Sequence, residues 1–172
     1  MTKAKQKIKL ATAGRVLEQV AALPYRWSEA GALEILVMSS RQTHRVIIPK
    51  GWPMKKRKDW KSAQIEAREE VGVVGEVSRK RIGQYRYWKR LEAHFVLCKV
   101  SVFPLDVKRH LDDWPERHER AHKWLTPEDA AVLVDETDLG KLILEFAKAQ
   151  QEHRRGLSSN SDKHTEAGQS AE

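Results

Sequence analysis

PKGWPMKKRKDWKSAQIEAREEVGV, residues 49–73, joins two local patterns that decide the fold. Its first half is a loop: Pro49 and Pro53 fix their own φ, Gly51 between them admits a tight turn, and Lys55, Lys56, Arg57 and Lys58 follow as a cationic run. Its second half has helical period, with Trp60, Ala63, Ala67 and Val71 recurring at spacings of three and four, Asp59 as N-cap and Gly72 as the stop. At about 100° per residue that apolar stripe spans roughly 80°, and Glu66, Glu69 and Glu70 fall together on the flank beside it. Like charges three and four apart cost a helix a few tenths of a kcal/mol per pair. Either the acids form a solvated patch paired with Arg68 or nearby lysines, or a hard divalent cation gives their convergence a purpose. A cationic loop leading straight into the acidic helix favours the second reading.

Outward from this stretch, Arg15 to Leu23, Leu33 to Met38 and Arg45 to Ile48 read as strands, separated by turn-formers at Pro24, Ser28-Glu29-Ala30-Gly31 and Ser39-Ser40. Glu76 to Trp88 and Leu91 to Phe103 read as two longer strands, the second closed by Pro104. A last amphipathic helix is predicted from Leu139 to Gln150, with Leu139, Leu142, Ile143, Phe146 and Ala147 on one face. Strands, helix, strands, helix indicate a mixed α/β or α+β domain. Residues 1–7 and the polar stretch 153–172 lack apolar periodicity and are expected to be flexible, leaving a folded unit over 8–152.

Hydrophobic residues make up 40% and charged residues 33% of the 172, which suits one globular domain with a heavily charged surface and excludes a disordered chain. The single cysteine, Cys98, excludes an internal disulfide framework or a cysteine metal cluster, and a reducing, cytoplasmic setting is expected. No apolar run has the length of a membrane span, so no membrane partner is expected. A net charge of +8 and an isoelectric point near 9.6 attract polyanions without choosing among them.

Gly51, Glu66, Ala67, Glu69, Glu70, Gly72 and Val73 resemble the Nudix box, G-x5-E-x7-R-E-U-x-E-E-x-G-U with U apolar. Two positions depart from it: the first glutamate is Arg57, and the arginine before the catalytic glutamate is Ile65. Leu36 to Arg41 with Arg45 to Pro49 looks like the strand pair entering the box in diphosphoinositol polyphosphate and diadenosine polyphosphate hydrolases, and Trp124 to Ala130 like a later segment of the same group. The resemblance covers roughly residues 10 to 150. It implies the Nudix α/β/α sandwich around a mixed sheet, and Mg²⁺- or Mn²⁺-dependent hydrolysis of a phosphoanhydride in a small, highly phosphorylated substrate.

By that resemblance Glu66 and Glu70 are metal ligands with Glu69 beside them, and the carbonyl of Gly51 completes the site. The water-activating base is then a box glutamate, Glu66 or Glu69, or one from a later loop, where Glu116 and Glu119 are available. Lys50, Lys55, Lys56 and Arg57 would hold non-reacting phosphates, Arg41 and Arg45 sit where the group uses polar and basic residues, and Trp52 could lie over a bound substrate. Ile65 leaves Glu66 without its usual orienting partner, a role open to Arg57 or Arg68.

Two other patterns compete. His118-Glu119-Arg120-Ala121-His122 matches H-E-x-x-H, which on a helix makes a zinc-protease site. Tyr85, Tyr87 and Trp88 interleave with Arg79, Lys80, Arg81, Arg86, Lys89 and Arg90, as a base-stacking strand of a catalytically weakened, nucleic-acid-binding module would. A cross-strand aromatic ladder gives the same pattern.

Overall fold

A computed structural model of the chain describes residues 16–91 and 94–166, with side chains as far as 157. Residues 1–7 and Arg15, which figure in the sequence reading, lie outside the described residues. Eight strands form one mixed sheet among these residues: β1 (Leu17–Trp27), β2 (Leu33–Ser39), β3 (Val46–Ile47), β4 (Lys50–Gly51), β5 (Val73–Val77), β6 (Gly83–Arg90), β7 (Phe95–His110) and β8 (His122–Leu125). Among the described residues three helices are interspersed: α1 (Asp59–Val71), α2 (Pro127–Leu133) and α3 (Thr137–Glu166).

The β1 and β7 strands run parallel down the centre, paired from Leu17↔Cys98 to Tyr25↔Asp106, and the other pairings between named strands are antiparallel. On one edge of β1 lie β4, opposite Val20 and Ala21, and β2, opposite Tyr25 to Trp27. On the far edge of β7, β6 covers the first half and β5 the second. Alternation along the strands divides the core in two. Val20, Ala22, Leu36, Met38, Phe103 and Leu105 face α1 through its Ala63, Ala67 and Val71. Ala21, Leu23, Ile35, Val37, Val100 and Val102 face α2 and α3 through Ala130, Leu139, Ile143 and Phe146. This is the α/β/α sandwich that the sequence implied. Burial of each such large apolar side chain contributes about 1.5–3 kcal/mol.

Several boundaries differ from the sequence reading, each for a physical reason. The segment read as one strand from Glu76 to Trp88 is two, because Ser78 turns the chain by accepting from the Lys80 amide and donating to the Lys80 carbonyl. Pro104 does not end β7. It sits where β6 gives way to β5, its carbonyl accepts from Ser78 N–H, and its missing donor faces that junction, so the ladder loses nothing there. In the same way β1 passes Pro24 and continues to Trp27. Asp59 is the first helical residue of α1 rather than its cap; Lys58 holds the cap position without a side-chain bond. Gly72 does end the helix, at φ +67. The last helix starts at Thr137 and continues to Glu166, through polar sequence expected to be tail.

The H-E-x-x-H reading fails on backbone geometry. His118 lies in a turn and His122 opens strand β8, so no helix gathers the two imidazoles. The His122 ring packs instead against His110 and Trp114, with centroids 5.0 and 5.6 Å away.

Candidate active site around Glu66 and Glu70

The buried stripe of α1 seats the helix over β1 and β4, and this brings its acidic flank onto the loop that precedes it. Gly51 lies opposite Val20, and the Glu66 carboxylate packs against it so closely that a Cβ at residue 51 would fall 2.0 Å from Oε1. Any larger residue there would displace the carboxylate from this position. One turn on, Glu70 is buried, and its Oε2 accepts from the Lys50 backbone N–H at 2.9 Å. Its Oε1 accepts from Arg120 Nη2 at 2.7 Å, while Arg120 Nε donates to Glu116 Oε2 at 2.6 Å. The Glu116 N–H in turn donates to the Glu69 carbonyl, tying the 111–121 loop to the helix.

Charge in this cluster is unevenly neutralised. Burial first, then repulsion from Glu70, Glu69 and Glu116, pushes Glu66 up to about 7, against a smaller opposing pull from Arg120. Burial also raises Glu70, although Arg120 and Lys50 pull the other way. Lys50 is pushed down to about 8, mainly by burial, with Glu70 opposing and Lys89 reinforcing the shift. Its Nζ lies 5.1 Å from the Tyr87 ring, and Lys89 lies 5.9 Å from Trp52. Tyr87 is itself fixed by donating to Gln19 Oε1 at 2.6 Å. Carboxylates on the helix side and a wall of Lys50, Tyr87, Lys89 and Trp52 on the other thus meet at β4.

Of the residues named from sequence, Gly51, Glu66, Glu70 and Lys50 converge, and Trp52 joins the aromatic wall. Glu69 is exposed on the flank and contributes charge. Glu119 is at the rim, bonded to Arg41 at 2.9 Å, and the later-loop carboxylate that joins the cluster is Glu116. Arg45 is bound to Asp135 and Glu136. Lys55, Lys56 and Arg57 form an exposed rim before the helix, with Lys56 at φ +63. Neither Arg57 nor Arg68 reaches Glu66, and the guanidinium inside the cluster belongs to Arg120. No linear spacing announces Arg120, which stands 50 positions from the glutamate it binds.

Among the described residues no three His, Cys, Asp or Glu side chains converge as a ready-made metal cage, since Glu70 is turned to Arg120. The donor chemistry nevertheless fits a hard cation: Glu66, Glu70 and the Gly51 carbonyl offer oxygen alone, and the raised Glu66 marks negative charge not yet balanced. A recess of about 410 Å³ lies elsewhere, lined by Trp27, Leu33, Pro127 and Arg154 among others, and contains none of these carboxylates.

The fold is shared with solved structures, including an Ap4A hydrolase of C. elegans in a binary complex (TM-score 0.61, 20% identity, 80% of this chain and 99% of that one). Another is the NUDIX domain of Shewanella oneidensis NrtR complexed with ADP ribose (TM-score 0.57, 13% identity, 84% and 98%). In sequence the chain is 32% identical over 129 residues to Nudix hydrolase 12, mitochondrial, of Arabidopsis thaliana, covering 72% of this chain and 63% of that protein. In sequence the chain is similar to Nudix hydrolases, and its fold is the Nudix fold. Nudix hydrolase 18, mitochondrial, of the same plant is 34% identical over 118 residues, covering 64% of this chain and 65% of that protein. The chain thus spans under two thirds of the length of these Nudix relatives. No family model matches it. Its Nudix box is present on α1 and β4 with Ile65 at the arginine position, and Ile65 is half-buried there without a charge to offer.

Proposed function

We propose that the chain hydrolyses a phosphoanhydride bond in a small, highly phosphorylated substrate, such as a dinucleoside polyphosphate, diphosphoinositol polyphosphate or nucleotide, with Mg²⁺ or Mn²⁺ as cofactor. The observation that carries this is the Glu66 carboxylate, lodged against Gly51 and raised to about 7 by burial and its acidic neighbours. A carboxylate poised near neutrality can accept a proton from water. When bound, a divalent cation would supply charge neutralisation at the phosphates and acidify water. Glu66 and Glu70 would hold it, with the Gly51 carbonyl.

The chain's own residues account for the rest. Lys50 and Lys89 would meet non-reacting phosphates, Tyr87 and Trp52 would flank the organic part, and the Lys55, Lys56 and Arg57 rim would draw the anion in. The names of the relatives support the class of reaction, and that of the Ap4A hydrolase supports a polyphosphate. A reducing, cytoplasmic setting belongs to the same reading, supported by the buried thiol of Cys98.

One observation favours a second reading, a catalytically silent binding module: Arg120 already neutralises part of the cluster that a metal would need. A panel of polyphosphate substrates with Mg²⁺ or Mn²⁺ separates the two. Cation-dependent phosphate release by the wild type, lost in Glu70→Gln when both are assayed well below the melting temperature of the variant, is expected. Release that survives Glu70→Gln, or none at all, would overturn the hydrolase.

A further inference from the structure

Strand β6 divides its side chains between two environments. Tyr85 and Tyr87 point to the α3 side, where Tyr85 is buried and Tyr87 packs against the same core. Arg86, Trp88 and Arg90 point the other way and are exposed. The basic-aromatic pattern in the sequence is therefore two patterns, and Trp88 is the aromatic that belongs to the outer one. Its register neighbours on β7 complete the face: Arg86 stands opposite Lys99, Trp88 opposite Leu97 and Arg90 opposite Phe95. Trp88 and Phe95 are each 62% exposed and occupy diagonal positions on one face of the two strands.

Two large aromatics left side by side in solvent call for an occupant. Cations on an edge strand can serve only to deter edge pairing, but that purpose needs no aromatic pair. Charge narrows the choice. Lys99 is held by Glu18 at 2.8 Å, and no acid among the described residues pairs with Arg86 or Arg90. The preceding segment 1–15 carries Lys3, Lys5, Lys7, Lys9 and Arg15 and no acid, and the same face of a second copy would be equally basic. Both would be repelled. Along β6, residues on one face repeat every ~6.8 Å, so cation, ring and cation follow in line.

We infer that the face formed by Arg86, Trp88, Arg90 and Phe95 binds a single-stranded nucleic acid, its bases stacking on Trp88 and Phe95 and its phosphates running past Arg86 and Arg90. This does not rest on the hydrolase reading, since none of these residues belongs to the glutamate cluster.

The test is fluorescence anisotropy of a labelled oligouridylate and an oligothymidylate of about a dozen nucleotides, titrated with the full chain over a series of salt concentrations. Saturable binding is expected, weakened about fivefold or more by Trp88→Ala and by Phe95→Ala and largely retained by Trp88→Phe. Arg86→Gln and Arg90→Gln should each lower the slope of log affinity against log salt by about 0.7. Glu70→Gln should bind as the wild type does. Absence of binding at low salt, equal binding by Trp88→Ala, or equally tight binding of heparin or a duplex regardless of Trp88 would overturn the proposal. So would a dimer in light scattering that Trp88→Ala converts to monomer, because the occupant would then be a second copy.

Discussion

Glu66 is a carboxyl whose surroundings oppose its charge, and this has a consequence for stability. Its ordinary value is 4.5 and in the fold it is raised to about 7, so between those pH values the folded chain keeps a proton that the unfolded chain has released. Stability therefore falls as pH rises through that window and is lowest above it. Urea unfolding in EDTA from pH ~5 to ~8 should show a declining midpoint, and Glu66→Gln should flatten the decline. An unchanged slope in the variant would show that Glu66 is not the group responsible. Arg120 works in the opposite sense. Its side chain and that of Glu70 are each only 7% exposed, so removing one strands a buried charge. Arg120→Ala should cost about 3–5 kcal/mol, and far less in a Glu70→Gln background, a coupling that a double-mutant cycle reads directly.

At the scale of elements, the end of α1 organises more than the helix. Gly72 takes a left-handed φ, and the Trp114 ring lies where its Cβ would be, 2.4 Å away. Trp114 packs with His110 and His122, and Leu111 N–H donates to the Gly72 carbonyl, so the helix stop is also the footing of the loop carrying Glu116 and Arg120. Gly72→Ala should cost about 1–2 kcal/mol in backbone strain alone, and should lower catalysis further by displacing that loop. Denaturant midpoints and initial rates on the same variant check both parts; loss of stability with unaltered rates would separate the loop from the site. The stop itself was legible in the sequence because glycine after an apolar stripe has a local cause. The length of β7 was not, because Pro104 is tolerated only where two neighbouring strands exchange places.

For the molecule as a whole, α3 packs through Leu139, Ile143 and Phe146, while beyond Leu157 the sequence has only alanines as apolar residues. Ending the chain after Leu157 should leave stability within about 0.5 kcal/mol and the hydrolytic rate unchanged. A large fall in melting temperature would show that the polar end is part of the folded unit.

The sequence by itself determined the fold class, the helix bearing Glu66, Glu69 and Glu70, and the loop at Gly51, because each depends on periodicity or on residues adjacent along the chain. Tertiary structure alone decided which acid of the later loop joins them, that Arg45 is occupied by Asp135 and Glu136, and that Arg120 holds Glu70. It also decided that Tyr87 turns inward beside Lys50 while Trp88 on the opposite face of the strand is left exposed. Those outcomes depend on which strand lies beside which, and charge and aromatic character carry no record of their partners until the chain has closed.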